Sequence, residues 1–135
     1  MRKYLTSILA ILMLLSFSGC SQRAAEDHTV HLVSGQTYGT GKYSFELVVS
    51  DPDGLDTMVS IKTDKDTLGD ALLQLGIVDG EKSDFGLYVK TINGITLDYD
   101  KDQKYWALYV NGEPVDSGID ATPVTDGDVY TLKAE

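Results

Sequence analysis

The sequence holds a single cysteine in 135 residues, so no internal disulfide can close and no Cys-rich zinc site can assemble. Positive charge is scarce: 11 Lys and Arg stand against 21 Asp and Glu, a formal net charge of -10. No stretch clusters the basic residues that phosphate binding needs, which argues against nucleic acid as a partner. Histidine occurs twice, as His28 and His31. Their H-x-x-H spacing invites a metal, but a third ligand is missing nearby, and on a strand the two rings would face opposite sides. A G-x-S-x-G nucleophile context is also absent. Carboxylates abound, yet acid–base chemistry needs two that converge in a pocket, and a solvated Asp is the commoner condition. These absences point to a non-enzyme that requires neither cofactor nor metal. At 42% hydrophobic and 24% charged, the composition is that of an ordinary globular domain and not of a disordered chain.

The N-terminus stands apart. Met1-Arg2-Lys3 precedes an apolar run from Tyr4 to Phe17 and then Ser18-Gly19-Cys20, the layout of a secretory signal over residues 1–19. The run is shorter than the roughly 20 residues a spanning helix needs. Small residues just before the lone Cys20 resemble the lipobox of bacterial lipoproteins, with Phe17 where that motif usually has Leu. The resemblance implies that Cys20 is diacylated and becomes the first residue of a chain anchored on the outer face of the membrane, and two acyl chains suffice for stable anchoring. Removing residues 1–19 takes away Arg2 and Lys3 and no acid, leaving 9 basic against 21 acidic residues and a charge of about -12. Such a body is repelled by an anionic membrane surface, so the lipid has to hold it through a polar tether over residues 20–28.

Residues 29–135 read as one domain. Thr29 to Val33 suggests a short strand and Ser34 to Lys42, with three glycines, a loop. Tyr43 to Val49 alternates apolar with polar, Asp51-Pro52-Asp53-Gly54 reads as a turn, and Met58 to Ile61 as the return strand of a hairpin. From Asp64 the period changes: Leu68, Ala71, Leu72 and Leu75 recur at helical spacing, Asp66 or Thr67 can cap, and Gly76 can stop the helix. An acidic loop is expected over 79–84. Gly86 to Ile92 and Ile95 to Leu97 flank Asn93-Gly94, a strong hairpin signal. A strand from Tyr105 to Val110 meets a second Asn-Gly at Asn111-Gly112, Val115 can pair briefly, and Val129 to Leu132 makes the last strand. The fold class is therefore α+β: a β-grasp-like order, a mostly antiparallel sheet with one helix packed across it.

Two acidic segments invite a calcium reading. Asp98, Asp100 and Asp102 match the first ligands of an EF-hand loop, but Gln103 stands where Gly is required and Tyr109 where the bidentate Glu belongs. Asp51 to Asp56 is more simply a turn. The aromatic stretch is more informative, because Tyr99, Tyr105, Trp106 and Tyr109 lie close together. On a strand Tyr105, Ala107 and Tyr109 share one side and Trp106, Leu108 and Val110 the other. Trp106 is then either core filler or part of an aromatic patch that grips a planar or apolar ligand.

From about Lys42 to Glu135, four ordered blocks carry a family resemblance. They are Thr67-Leu68-Gly69-Asp70-Ala71-Leu72, Gly86 to Gly94, Tyr105 to Gly112, and Asp126-Gly127-Asp128. Together they resemble the DUF4430 family, small surface domains of Gram-positive bacteria similar to the C-terminal β-domain of transcobalamin and intrinsic factor and, more distantly, to β-grasp SLBB domains. The resemblance implies a cobalamin-type ligand whose contacts, carried over by position, fall on Gly94, Ile95, Trp106, Ala107 and Leu108. It also implies an incomplete site, since those carriers close over the vitamin with an α-helical barrel for which this chain has no room. Two functions follow: a lipid-anchored module that binds a corrinoid or similar small molecule, alone or with a partner, or a protein or polymer interaction module with Trp106 in the core.

Overall fold

The structure, a computed structural model, describes residues 29–135. The signal segment expected over 1–19, Cys20 and the tether of 20–28 lie outside the described residues, and so does His28.

The described residues begin with an irregular strap where a strand over 29–33 was expected. Its donors bond to a helix end and a turn instead of a neighbouring strand: the Val30 amide reaches the Gly76 carbonyl at 2.8 Å, and the Leu32 amide reaches Asn93 Oδ1 at 2.7 Å. The first strand, β1 (Thr37–Tyr38), falls inside the segment expected to be loop. It pairs in parallel with β3.

β2 (Tyr43–Ser50) and β3 (Asp56–Thr63) form the expected antiparallel hairpin. Period-two patterning buries Phe45, Leu47 and Val49 on one strand and Val59, Ile61 and Thr63 on the other. Asp51 shapes the turn by accepting the amides of Asp53 and Leu55, each at 2.9 Å. Helix α1 (Leu68–Gln74) starts where Thr67 accepts the Asp70 amide at 3.2 Å, and Leu68, Ala71 and Leu72 face the core. It ends at Gly76, whose φ of 67° is a left-handed conformation that favours glycine.

The stretch expected as an acidic loop is β4 (Val78–Ser83), which pairs along its length with β5 (Gly86–Ile92). It is an edge strand with mostly exposed side chains, so pairing requires no apolar alternation that the sequence could display. At its bulge, a Cβ on Gly80 would lie 2.2 Å from the Tyr88 carbonyl oxygen. Beyond Asn93-Gly94, β6 (Ile95–Thr96) completes a separate three-stranded sheet. A second helix, α2 (Tyr99–Asp102), occupies the aspartate-rich stretch, where Asp98 accepts the Asp100 amide at 3.0 Å and Asp102 accepts the Asp98 amide at 3.0 Å. The alternating carboxylates thus cap one helical turn.

β7 (Trp106–Val110) and β8 (Glu113–Val115) form the next hairpin, a 3-10 turn covers Ile119–Ala121, and β9 (Val129–Ala134) ends the chain. The larger sheet has six strands in the order β1-β3-β2-β9-β7-β8. Its pairings are antiparallel except β1 with β3 and β2 with β9, so the first long strand and the last lie side by side in parallel. Fully buried Tyr130 of β9 stacks edge-on against Phe45 at 5.0 Å between centroids. Its hydroxyl is satisfied, donating to the Pro123 carbonyl at 2.8 Å and accepting the Thr125 amide at 2.9 Å. One core joins both sheets and α1, as expected for an α+β fold.

Candidate functional site

A cleft of about 320 Å³ opens between the first half of β5 and the β7–β8 hairpin, with residues 116–119 at one end. That volume is at the lower end of the roughly 300–1,000 Å³ common for small-molecule sites. Five of its lining residues are aromatic: Phe85, Tyr88, Tyr105, Trp106 and Tyr109. Asp116 and Glu135 also line it, and among the described residues no Lys, Arg or His does.

Trp106 joins the two sheets. Its ring is 6% exposed, and its indole Nε1 donates to the Lys90 carbonyl at 3.1 Å. The same carbonyl accepts the Leu97 amide at 2.8 Å, so one oxygen of β5 fastens both the small sheet's return and the large sheet's tryptophan. Leu108 is buried on the same side of β7, and Ala107 is half-buried on the other.

The outer side of β7 carries the polar chemistry. The Tyr109 hydroxyl donates to the Glu135 carboxylate, and this bond is the first cause holding the phenol above its ordinary value of 10.0, with partial desolvation and the nearby Glu135 and Tyr105 adding to it. Tyr105, on the adjoining segment, stacks edge-on against Tyr99 at 6.3 Å. Across the cleft on β5, the Tyr88 hydroxyl is buried and has no hydrogen-bond partner among the described residues. Beside it, Lys90 bonds Glu81 at 3.3 Å and lies 5.8 Å from the centre of the Tyr88 ring. The bond to Glu81 is the first cause raising the Lys90 ammonium above 10.5; the charges of Glu81, Asp98 and Tyr88 reinforce it and burial opposes it.

Phe85, at the β4–β5 turn, stands on the rim with 90% of its surface exposed. The arm beneath it is pinned by Asp120, whose Oδ1 accepts the Leu87 amide at 2.9 Å. Three glycines crowd this aspartate. A Cβ on Gly86 or Gly118 would lie 2.6 or 2.7 Å from Asp120 Oδ1, and one on Gly69 of α1 would lie 2.7 Å from the Asp120 Cα. Small residues on three elements therefore let helix, hairpin and 3-10 turn converge behind the cleft.

Of the five contacts expected from the resemblance, Trp106, Ala107 and Leu108 line this cleft, and Gly94 and Ile95 lie outside its lining. The Asn93-Gly94 turn is held by the N-terminal strap: the Gly94 amide donates to Thr29 Oγ1 at 3.1 Å, and Asn93 takes the Leu32 amide. Ile95 packs against the core. Phe85, Tyr88 and Glu135 were not singled out from the sequence. The alternation Leu87-Tyr88-Val89 was the available signal, since it sets Tyr88 opposite two buried neighbours.

Comparison with known structures gives the fold independent support. The chain is similar to a candidate metal-binding protein from Ruminococcus gnavus ATCC 29149, with 32% identity, a TM-score of 0.66, and 70% of this chain and 97% of that one covered. It is also similar in fold to haptocorrin, solved in complex with Cbi, with 20% identity and a TM-score of 0.54 over 69% of this chain. The likeness spans only 25% of haptocorrin's length. A search of curated proteins returned no match. The family "Domain of unknown function (DUF4430)" matches residues 65–135, from the start of α1 to the last strand, leaving the β2–β3 hairpin outside the match that was expected to begin near Lys42. That match takes in more than half of the chain, and this protein belongs to the DUF4430 family.

Proposed function

We propose that this protein is a non-catalytic binding module, carried at the outer face of the cell membrane by lipid on Cys20, whose cleft takes a small molecule. The observation that carries this reading is the aromatic cleft with Trp106, Ala107 and Leu108 in its wall. The fold it shares with haptocorrin, crystallised with Cbi, makes a corrinoid the first ligand to test. A corrin ring with its side chains exceeds the cleft's 320 Å³, so this domain would grip an edge of such a ligand, and a partner protein would supply the other half. The finer fold reading is a β-grasp: it is supported by a hairpin, a helix, and a last strand that returns in parallel beside the first long one.

A second reading is favoured by one specific observation, the burial of Trp106 and the use of its indole N–H inside the protein. There the module is a protein or polymer interaction domain and Trp106 is core. Trp106 is the only tryptophan of the chain, so its emission separates the two. The full chain, in non-ionic detergent, is titrated with cyanocobalamin by calorimetry and by Trp106 emission corrected for absorption. Heat and quenching support the small-molecule reading; neither at about 1 mM ligand, a binding free energy weaker than about -4 kcal/mol, overturns a corrinoid as that ligand.

A further inference from the structure

Resting on the small-molecule reading of the same cleft, we infer that its ligand is a small organic cation of the methylated-ammonium type, held between aromatic faces and two carboxylates. Three observations lead there. First, the lining pairs five aromatic residues with Asp116 and Glu135 and contains no basic side chain among the described residues, and ring faces attract cations through their quadrupole. An anion would meet like charge and no donor of positive sign. Second, the chain carries an excess of ten acidic charges, and a cleft with low-dielectric walls focuses such a field toward cations.

Third, the cationic neighbours leave Asp116 unpaired among the described residues and Glu135 only loosely paired. Lys90 is tied to Glu81 at 3.3 Å, outside the lining. Lys133 reaches Glu135 only at 3.9 Å and is half-exposed. Asp116 makes no ion pair among the described residues. The buried Tyr88 hydroxyl has no hydrogen-bond partner among the described residues, so its hydrogen-bonding capacity is still open. Exposed Phe85 on the rim can fold over a bound ammonium without disturbing the core.

The test uses choline and its uncharged isostere 3,3-dimethylbutan-1-ol, which share a shape and differ by one charge. Each is titrated into the full chain in non-ionic detergent, read by calorimetry and by the emission of Trp106, with cyanocobalamin as a third titrant. Choline is expected to bind about tenfold tighter than the isostere, the preference that one desolvated cation–aromatic contact provides. Asp116→Asn, at an exposed position that makes no ion pair among the described residues, is expected to narrow that ratio about threefold with the melting temperature unchanged. Equal binding of choline and isostere, or cyanocobalamin binding with choline silent, overturns the cation preference and leaves the small-molecule cleft standing. Silence from all three at about 10 mM overturns both.

Discussion

Gly69 gives a prediction in which two physical effects have opposite signs. It lies inside α1, where Ala is favoured over Gly by about 1 kcal/mol, so helix propensity alone predicts that Gly69→Ala stabilises the protein. Packing predicts the reverse. The added Cβ would lie 2.7 Å from the Asp120 Cα, 2.8 Å from its amide nitrogen and 3.1 Å from its Cβ, whereas comfortable contacts lie near 3.5–4.0 Å. Two of these three atoms are backbone, so no rotamer change relieves the clash, and the 3-10 turn would have to retreat by about 1 Å. Overpacking of this kind costs about 1–3 kcal/mol. A retreating turn would also stretch the 2.9 Å bond from the Leu87 amide to Asp120. We expect a net loss of about 1 kcal/mol, a fall of about 4–8 °C in melting temperature for a domain near this size. Urea unfolding measures it, with exposed Gln74→Ala in the same helix as the control that feels propensity alone. A urea midpoint for Gly69→Ala above that of the parent would refute the close approach of α1 to the 3-10 turn.

Three further outcomes are expected. Trp106→Phe removes the donor to the Lys90 carbonyl and leaves a partly filled space between the sheets; a loss of about 1–3 kcal/mol in urea unfolding is expected, and an unchanged midpoint would show that the indole does not join them. Tyr88→Phe deletes a buried hydroxyl without a partner, so stability should hold or rise by up to about 1–3 kcal/mol; a clear loss would reveal a partner for that oxygen. The Tyr109 phenol is raised above 10.0 chiefly by its bond to Glu135, so the stability it contributes is fully present below the ordinary tyrosine value and is lost as pH rises through the folded one. A pH titration of phenolate absorbance, compared with Tyr109→Phe, should assign the missing component to the high end of the curve; a component at or below 10.0 contradicts the bond.

Much of the local architecture was legible because its causes are local. The alternation through Phe45, Leu47 and Val49, the Asn-Gly turns, the Thr67 cap and the Gly76 stop each depend on residues a few positions apart, and each element formed where that chemistry pointed. β4 escaped notice because an edge strand takes its backbone bonds from a neighbour and leaves its side chains polar. α2 was obscured because aspartates that cap a helical turn resemble the opening of a cation loop. The expected site was half legible: the strand register of Trp106, Ala107 and Leu108 could be read along the chain, but the company they keep could not. Phe85 and Glu135 reach the same cleft from the β4–β5 turn and the C-terminal residue, and no local pattern connects them.

The sequence by itself determined the period of β2 and β7, the ends of α1, the acidity of the domain and the side of β7 on which Trp106 sits, because these follow from neighbours in the chain. Only the tertiary structure decided that β9 lies in parallel beside β2, that three glycines converge on Asp120, and that five aromatic residues line one cleft free of basic side chains among the described residues. Those arrangements bring together residues far apart along the chain, and which distant partners meet is settled by how the whole core closes.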